Sequence, residues 1–485
     1  MPVSLAPPSS DYLRFLPEIV LTVFGIAVMM LEAVARGKRT FLGGIALVGL
    51  VCAFVANIVA YAHQGAAFQN MIVIDGYGTF FRAVVLVVGF LCILTSFSYL
   101  ERENAQTGEY YSLILFSLVG QCILATAGDL IMVFIGLEIS SIATYILAGF
   151  LRDDRRNNES ALKYFLLGSF ATAFLLYGIA WIYGIVGSTN LNQIRSVLEQ
   201  GQRSPIIAAL AAALIFVGLG FKVSIAPFQV WAPDVYQGAA APVSAFLSAG
   251  PKAAAFAIFF RLFMTSFRSM SDHWVWLAWG CALATMLIGN LGALLQTNVK
   301  RLLGYSSIAH AGYVLVAFTA ASSIGVAAAM FYLASYALMN VGAFAVISHI
   351  AARNERYVKI EDLAGFGRRE PMTAALLAIF IFSLIGVPLT GGFFGKFYVF
   401  QAALDSHLVW LTVIGLINSA IAAYYYLKII AAIYMQEPGT AIDQLPPPSA
   451  TLRVALWASA LGTLFLGIFP SALLSFASFS AAAFR

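Results

Sequence analysis

Six side chains in this sequence could carry protons through a medium that excludes water: Glu138, Lys163, Lys222, Lys252, His310 and Lys396. Each stands in, or at the edge of, a long apolar run. Glu138 lies within DLIMVFIGLEISSIATYIL, Lys163 near the start of ESALKYFLLGSF, and Lys252 within AFLSAGPKAAAFAIF. Lys222 opens GFKVSIAPFQVWAPDVYQGAAAP, His310 lies in LGYSSIAHAGY, and Lys396 follows SLIGVPLTGGFFG. An ionised group at the centre of a bilayer costs at least ~2.5–3.5 kcal/mol on insertion scales. It persists there when it is paired, hydrated or in use. Burial favours the neutral form of a lysine or a carboxylate, and an opposite charge nearby favours the charged form. A lysine whose carboxylate partner moves away can therefore release its proton. Glu138 and Lys222 are candidates for such a switchable pair. Lys252 and Lys396 are candidates to pass the proton on, with His310 and buried water between them.

The competing reading for Glu138, Lys222, Lys252 and Lys396 is a static structural ion pair. For His310 it is a hydrogen-bonded packing role. Lys163 and Lys428 can instead snorkel to the membrane interface. Asp129 reads as interfacial, and Asp234 as the cap of a half-helix.

The elements that must hold these groups follow from composition. Charged residues make up 10% of the chain and hydrophobic residues 61%, with a mean hydropathy of +0.88. A soluble domain averages about 25% charged residues. So little charge cannot cover a soluble surface, and lipid must cover it instead. Apolar runs fall at 16–36, 40–62, 77–100, 110–127, 129–151, 159–186, 205–225, 240–264, 274–296, 300–321, 323–351, 371–402, 406–434 and 451–478. A span needs ~20 residues, so the expected fold is an all-α polytopic membrane protein of about fourteen transmembrane helices. A β-barrel would show short alternating segments instead.

Two runs are interrupted. The seventh meets Pro227, Pro233 and Pro242, and the twelfth meets Pro388, Gly391, Gly392 and Gly395. Proline removes a backbone donor, so both helices are expected to be discontinuous, which a membrane tolerates only inside protein or beside a polar cavity. Glu138 precedes Lys222 by 84 positions, and His310 precedes Lys396 by 86. These spacings link spans five and seven, then ten and twelve. They predict two five-helix repeats, 110–264 and 274–434. An odd number of spans in each makes the repeats inverted, a known transporter design. A three-helix segment, 1–105, precedes them, and a C-terminal helix, 450–485, follows.

Loop charges set the expected orientation. One set of alternate loops holds Arg36, Lys38, Arg39, Arg102, Arg152, Arg155, Arg156, Lys300, Arg301, Arg353, Arg356, Lys359, Arg368 and Arg369. The other side, with both tails, holds Arg14, Arg195, Arg203, Arg261, Arg268 and Arg485. The positive-inside rule places the first set in the cytoplasm and both termini outside. No cleavable signal peptide is evident. Cys52, Cys92, Cys122 and Cys281 stand singly, without metal or disulfide spacing. No haem-type histidine pairing, phosphate-binding glycine loop or dinucleotide fingerprint is present. The net charge of +5 does not suggest nucleic acid.

FKVSIAPFQVWAPDVYQGAAAPVSAFLSAGPKAAAF resembles the signature of the antiporter-like subunits of bacterial NADH:quinone oxidoreductase, respiratory complex I, which are related to subunits of multisubunit Na+/H+ antiporters. WAPDVYQGA, LGYSSIAHAGY, PLTGGFFGKFYVF and ESALKYFLLGSF resemble the N-type branch of that family, whereas L- and M-like relatives typically carry an H-T-W-L-P-D-A-type sequence at the first break. The likeness runs over essentially the whole chain. It implies one proton channel, with Glu138 and Lys222 as the ion pair of the first half-channel. It implies Lys252 as central relay, Lys396 at the half-channel opening outside, and Lys163 at a position that tunes activity. It also implies a bacterial inner-membrane location, lipids and other complex I membrane subunits as neighbours, and further antiporter-like subunits among them. No cofactor is expected in this chain; FMN, iron–sulfur clusters and quinone belong to partner subunits. Coupling is expected to be electrostatic, a charge change in one subunit shifting the Glu–Lys pair of the next. The alternatives are a subunit of a multisubunit Na+/H+ antiporter, and a structural subunit with no conducting path.

Overall fold

The computed structural model describes residues 7–34, 39–201, 205–439, 442 and 445–484. Arg36, Lys38, Arg203 and Arg485, counted in the charge asymmetry, lie outside the described residues. Numbered in chain order, spans 1 to 6 are Leu16–Val34, Thr40–Ala62, Gly76–Arg102, Gly108–Thr126, Leu130–Ala148 and Arg155–Val186. Span 7 has two halves, Pro205–Val223 and Ala232–Gly238. Spans 8 to 11 are Ala241–Thr265, Ser271–Leu294, Val299–Thr319 and Ser323–Ile350. Span 12 is again halved, Pro371–Ile385 and Gly391–Asp405. Spans 13 and 14 are Val409–Met435 and Ala450–Ile468. Among the described residues, 13 helices are long and apolar enough to cross a membrane. The twelfth span makes the fourteenth crossing, because each of its halves is too short alone.

The breaks fall where the sequence places them. The first half of span 7 ends at Val223, and Ser224 turns the chain with φ +61°. The first half of span 12 ends at Gly386, whose φ of +95° suits a residue without a side chain. Pro251, by contrast, leaves span 8 continuous. The carbonyl that its missing N–H would have satisfied belongs to Leu247, and the Tyr236 hydroxyl donates to it at 3.4 Å.

Spans 8, 10 and 11 form the buried centre, with almost every residue covered by neighbouring helices. Spans 1, 2, 6 and 13 lie outside and expose large apolar side chains such as Ile58, Phe170, Trp410 and Leu416. In water such a surface would be a liability; in lipid it matches the solvent. Spans 4 and 5 approach closely at Gly120 and Gly136. A Cβ on Gly120 would stand 2.5 Å from the Gly136 carbonyl oxygen, so the helices could not come together with a larger residue there.

Three features depart from the sequence reading. The last apolar run, 451–478, is not one helix. It breaks at Phe469, and a second helix, Pro470–Ala481, follows. Pro470 cannot donate to the preceding turn and drives Phe469 out of helical geometry, to φ −123° and ψ 58°. A short hairpin, Gly65–Ala67 paired with Ile72–Ile74, joins spans 2 and 3. Lys300 and Arg261, counted among the charges of the two membrane faces, are both buried in ion pairs.

Candidate functional site

The six predicted residues occupy the broken spans and the helices packed against them. Lys222 is the penultimate residue of the first half of span 7. Its ammonium donates to the Ser141 hydroxyl at 2.7 Å and the Tyr164 hydroxyl at 3.1 Å. It also lies 5.4 Å from the ring centre of Tyr145 and 5.1 Å from that of Tyr164. Glu138 does not contact it. The Glu138 carboxylate instead accepts from the Thr172 hydroxyl of span 6 at 2.9 Å, and no Glu138–Lys222 ion pair forms within 4 Å. The two members of the candidate switchable pair thus stand apart here, each on a hydroxyl partner. Ser141 sits one turn along span 5 from Glu138 and takes the ammonium in its place.

Lys252, on span 8, donates to the Ser307 carbonyl at 2.9 Å and to the Ser307 hydroxyl. Three residues further along span 10, His310 is held at both ring nitrogens. Nδ1 meets the Tyr332 hydroxyl of span 11 at 2.6 Å, and Nε2 meets the Tyr426 hydroxyl of span 13 at 3.2 Å. The Ser306 hydroxyl shares Tyr426 with it. A neutral imidazole has one N–H and one bare nitrogen, so one tyrosine must accept and the other donate. Protonation at the bare nitrogen and release from the other would move a proton past the ring.

Lys396 lies in the second half of span 12 and reaches back across the break. Its ammonium donates to the carbonyls of Leu384 and Ile385 at 3.0 and 2.8 Å, and to the Ser419 hydroxyl at 2.9 Å. These carbonyls are among the last of the first half-helix, left without intrahelical donors. A cation there also meets the negative end of the helix dipole. Tyr313 places its ring centre 5.0 Å from the same ammonium. Ser307, His310 and Tyr313 recur at helical spacing, so one face of span 10 touches Lys252 at one level and Lys396 at another.

Lys163 stands apart from this line. It is partly exposed and bonds Asp234 at 2.7 Å and Glu159 at 2.7 Å. Arg301 shares Asp234 from span 10 at 2.5 Å. Asp234 therefore joins spans 6, 7 and 10, and it is not the helix cap expected of it; the second half of span 7 has no side-chain cap. Asp129 does cap span 5, accepting from the Ile131 N–H at 2.8 Å. Lys428 is exposed, with its ammonium 4.6 Å from the ring centre of Tyr424.

Sequence reading missed the hydroxyl groups of this line, because serine and tyrosine in a membrane helix are common and carry no charge signal. It also missed two buried pairs that did carry one. Glu18 and Arg82, both wholly buried, meet at 2.6 Å between spans 1 and 3. Asp75 grips Arg261 with both oxygens, at 2.8 and 2.9 Å. Arg82 stands inside an apolar run as plainly as Glu138 does. Among the described residues no cluster of three or more His, Cys, Asp or Glu could hold a metal.

Two interrupted spans, each with a buried lysine beside the break, joined by a polar face on the helix between them, define an antiporter-like membrane subunit. A chain of the Mrp complex from Dietzia sp. DQ12-45-1b has this fold, with a TM-score of 0.86 over 98% of this chain and 97% of that one, at 22% identity. A chain of respiratory complex I from Thermus thermophilus matches at TM-score 0.81 and 33% identity, over 95% of this chain and 99% of that one. The family described as "NADH:quinone oxidoreductase/Mrp antiporter, TM" matches residues 127–422, and the chain belongs to it. Among curated relatives, NADH-quinone oxidoreductase subunit N 1 of Solibacter usitatus (strain Ellin6076) is 61% identical, over 99% of each chain. NADH-quinone oxidoreductase subunit N of Trichlorobacter lovleyi is 42% identical, over 95% of each.

Proposed function

We propose that this chain is the N-type, proton-translocating subunit in the membrane arm of a bacterial NADH:quinone oxidoreductase. It performs no redox chemistry itself; FMN, iron–sulfur clusters and quinone belong to other subunits, and its neighbours are further antiporter-like subunits and lipid. The observation that carries the reading is the polar face of span 10, which connects Lys252 through Ser307, His310 and Tyr313 to Lys396.

In this mechanism Lys222 is the movable cation. It rests on Tyr164 and on Ser141, which lies one helical turn from Glu138. A change of charge in the neighbouring subunit draws it to Glu138 or releases it. Lys252 receives the proton, His310 passes it between its tyrosines, and Lys396 discharges it. Lys163 tunes this motion through Asp234. The two five-helix units, 110–264 and 274–434, act as inverted repeats, and both tails lie on the periplasmic side of the inner membrane. The identity to subunit N chains favours this assignment over an Na+/H+ antiporter subunit.

The test is Lys252→Ala, Lys222→Ala and Glu138→Ala in the assembled complex. NADH-driven acidification of inside-out vesicles is measured beside quinone reduction. Loss of pumping with intact assembly is expected; unchanged pumping in all three overturns the reading.

A further inference from the structure

A further buried acid–base pair, outside the line from Lys222 to Lys396, lies where spans 8 and 10 begin. Lys300, in the first turn of span 10, is wholly buried and forms an ion pair with Glu355. The same ammonium donates to the Ala239 carbonyl at 2.5 Å. The other Glu355 oxygen accepts from the Ala241 N–H, the first of span 8, at 2.7 Å, and from the Tyr99 hydroxyl at 2.9 Å. Three spans, 3, 8 and 10, therefore converge on one carboxylate. Beside it opens a cavity of about 960 Å3, lined in part by Glu103, Asp153, Asp154, Arg156, Arg353 and Asn354. Glu355 follows Asn354 directly, and its side chain is 10% exposed. Glu355 adjoins the lining through Asn354, so the pair lies just inward of the place where bulk water approaches the protein's centre on the arginine-rich face.

From this pair two polar stripes run inward. On span 8, Ser244, Ser248 and Lys252 recur every four residues, which puts them on one side of the helix. On span 10, Lys300 and Ser307 share a face, seven residues or about 10 Å apart. The stripes meet where Lys252 donates to Ser307. Asn340 of span 11 leans on the first stripe, donating to the Ser248 hydroxyl at 2.6 Å. Its own carbonyl oxygen is buried with no protein partner. A buried amide oxygen left unpaired is uncommon and calls for a polar guest such as water.

We propose that the Lys300–Glu355 pair is the entrance of the relay: it takes protons from the cavity and delivers them along Ser244, Ser248 and Ser307 to Lys252. The inference rests on the relay reading given above. The step is a proton transfer alone. Hydronium in the cavity protonates Glu355, which loosens its hold on Lys300, and the proton passes inward over the serine hydroxyls. The charged and titratable groups facing Glu355 are Lys300 from span 10, Tyr99 from span 3 and Arg156 from the first turn of span 6. Glu103, Asp154 and Arg156 stand at the cavity. Burial alone would raise the Asp154 carboxyl. The hydrogen bonds and charge of Arg156 outweigh it and hold that carboxyl below the ordinary carboxylate value, so Asp154 stays ionised near neutrality.

The test uses assembled complex in inside-out vesicles, with acidification per NADH measured across pH. Glu355→Gln is expected to lower that ratio to the level of Lys252→Ala and to alter its pH profile, and Glu355→Asp to restore both in part. A purely structural carboxylate would change assembly without moving the profile. Should Glu355→Gln fail to assemble, Ser248→Ala decides, since it removes one hydroxyl and no charge. Wild-type pumping and profile in Glu355→Gln, or in Ser248→Ala where that variant decides, overturn the proposal. If those hold while Lys252→Ala loses pumping, only the entrance is wrong. If Lys252→Ala also pumps normally, the relay reading itself has failed.

Discussion

At the first break the carbonyl of Phe221 accepts from the indole of Trp231 at 2.9 Å, and Lys222, one residue on, points away to Ser141 and Tyr164. At the second break two carbonyls, those of Leu384 and Ile385, are held by Lys396 itself. A neutral donor closes one helix end; the candidate relay residue closes the other. The lysines also stand on opposite sides of their breaks, Lys222 before and Lys396 after, although the spacings of 84 and 86 residues suggested counterparts. A cation at the first break is therefore free to move without exposing backbone. At the second break, departure of the cation, or of its proton, leaves carbonyl groups short of a donor.

Truncating the second lysine should separate the two sites most. Lys396→Met leaves two buried carbonyls unsatisfied, at about 1–3 kcal/mol each, and removes the relay group. Lys222→Met leaves no backbone group unpaired. Both are expected to lose pumping, but only Lys396→Met should lower the temperature at which the assembled complex inactivates. Equal stability of the two variants would break the comparison. Trp231→Phe tests the neutral cap. It keeps an aromatic ring against Tyr164, with which Trp231 now stacks at 4.5 Å, and leaves the Phe221 carbonyl with the Ser224 N–H as its one remaining donor. A loss of about 0.5–1.5 kcal/mol in thermal inactivation is expected, with pumping reduced less than in Lys222→Met. Gly386→Ala strains the turn of the second break, by roughly 1–2 kcal/mol for a left-handed residue with a Cβ. The new methyl also comes 3.2 Å from the Lys396 chain. Slower pumping with normal assembly is the outcome to measure. The smallest effect belongs to Thr172→Val. It frees Glu138 from its hydroxyl donor and should favour contact with Lys222. Infrared difference spectra should show a shifted carboxylate band, with stability changed by under about 1 kcal/mol.

The bundle was legible because lipid leaves few alternatives: apolar length and proline position decide the spans, and both breaks fall in their predicted segments. The charged members of the site were legible for the same reason, since each stood out against an apolar background. What was not legible is which groups meet. Nothing in the order of residues says that Ser141 displaces Glu138 at Lys222, or that Tyr332 and Tyr426 close on His310. Those contacts depend on helix rotation, which side-chain packing across several spans decides. Lys300 and Glu355 were hidden differently. They lie beside loops, where charge is ordinary, and only the convergence of spans 3, 8 and 10 buries them. Asp234 was misread because a proline-rich turn suggests a cap, whereas two cations on neighbouring spans claim its oxygens.

The wholly buried pair of Glu18 and Arg82 has a consequence for how the chain enters the bilayer. An arginine inserted alone carries a penalty of ~2.5–3.5 kcal/mol at mid-membrane. Glu18 emerges from the ribosome first and is already in place when the third span arrives. The charge on the third span is thus answered within the N-terminal trio, by a residue made before it, and needs no group from either broken span.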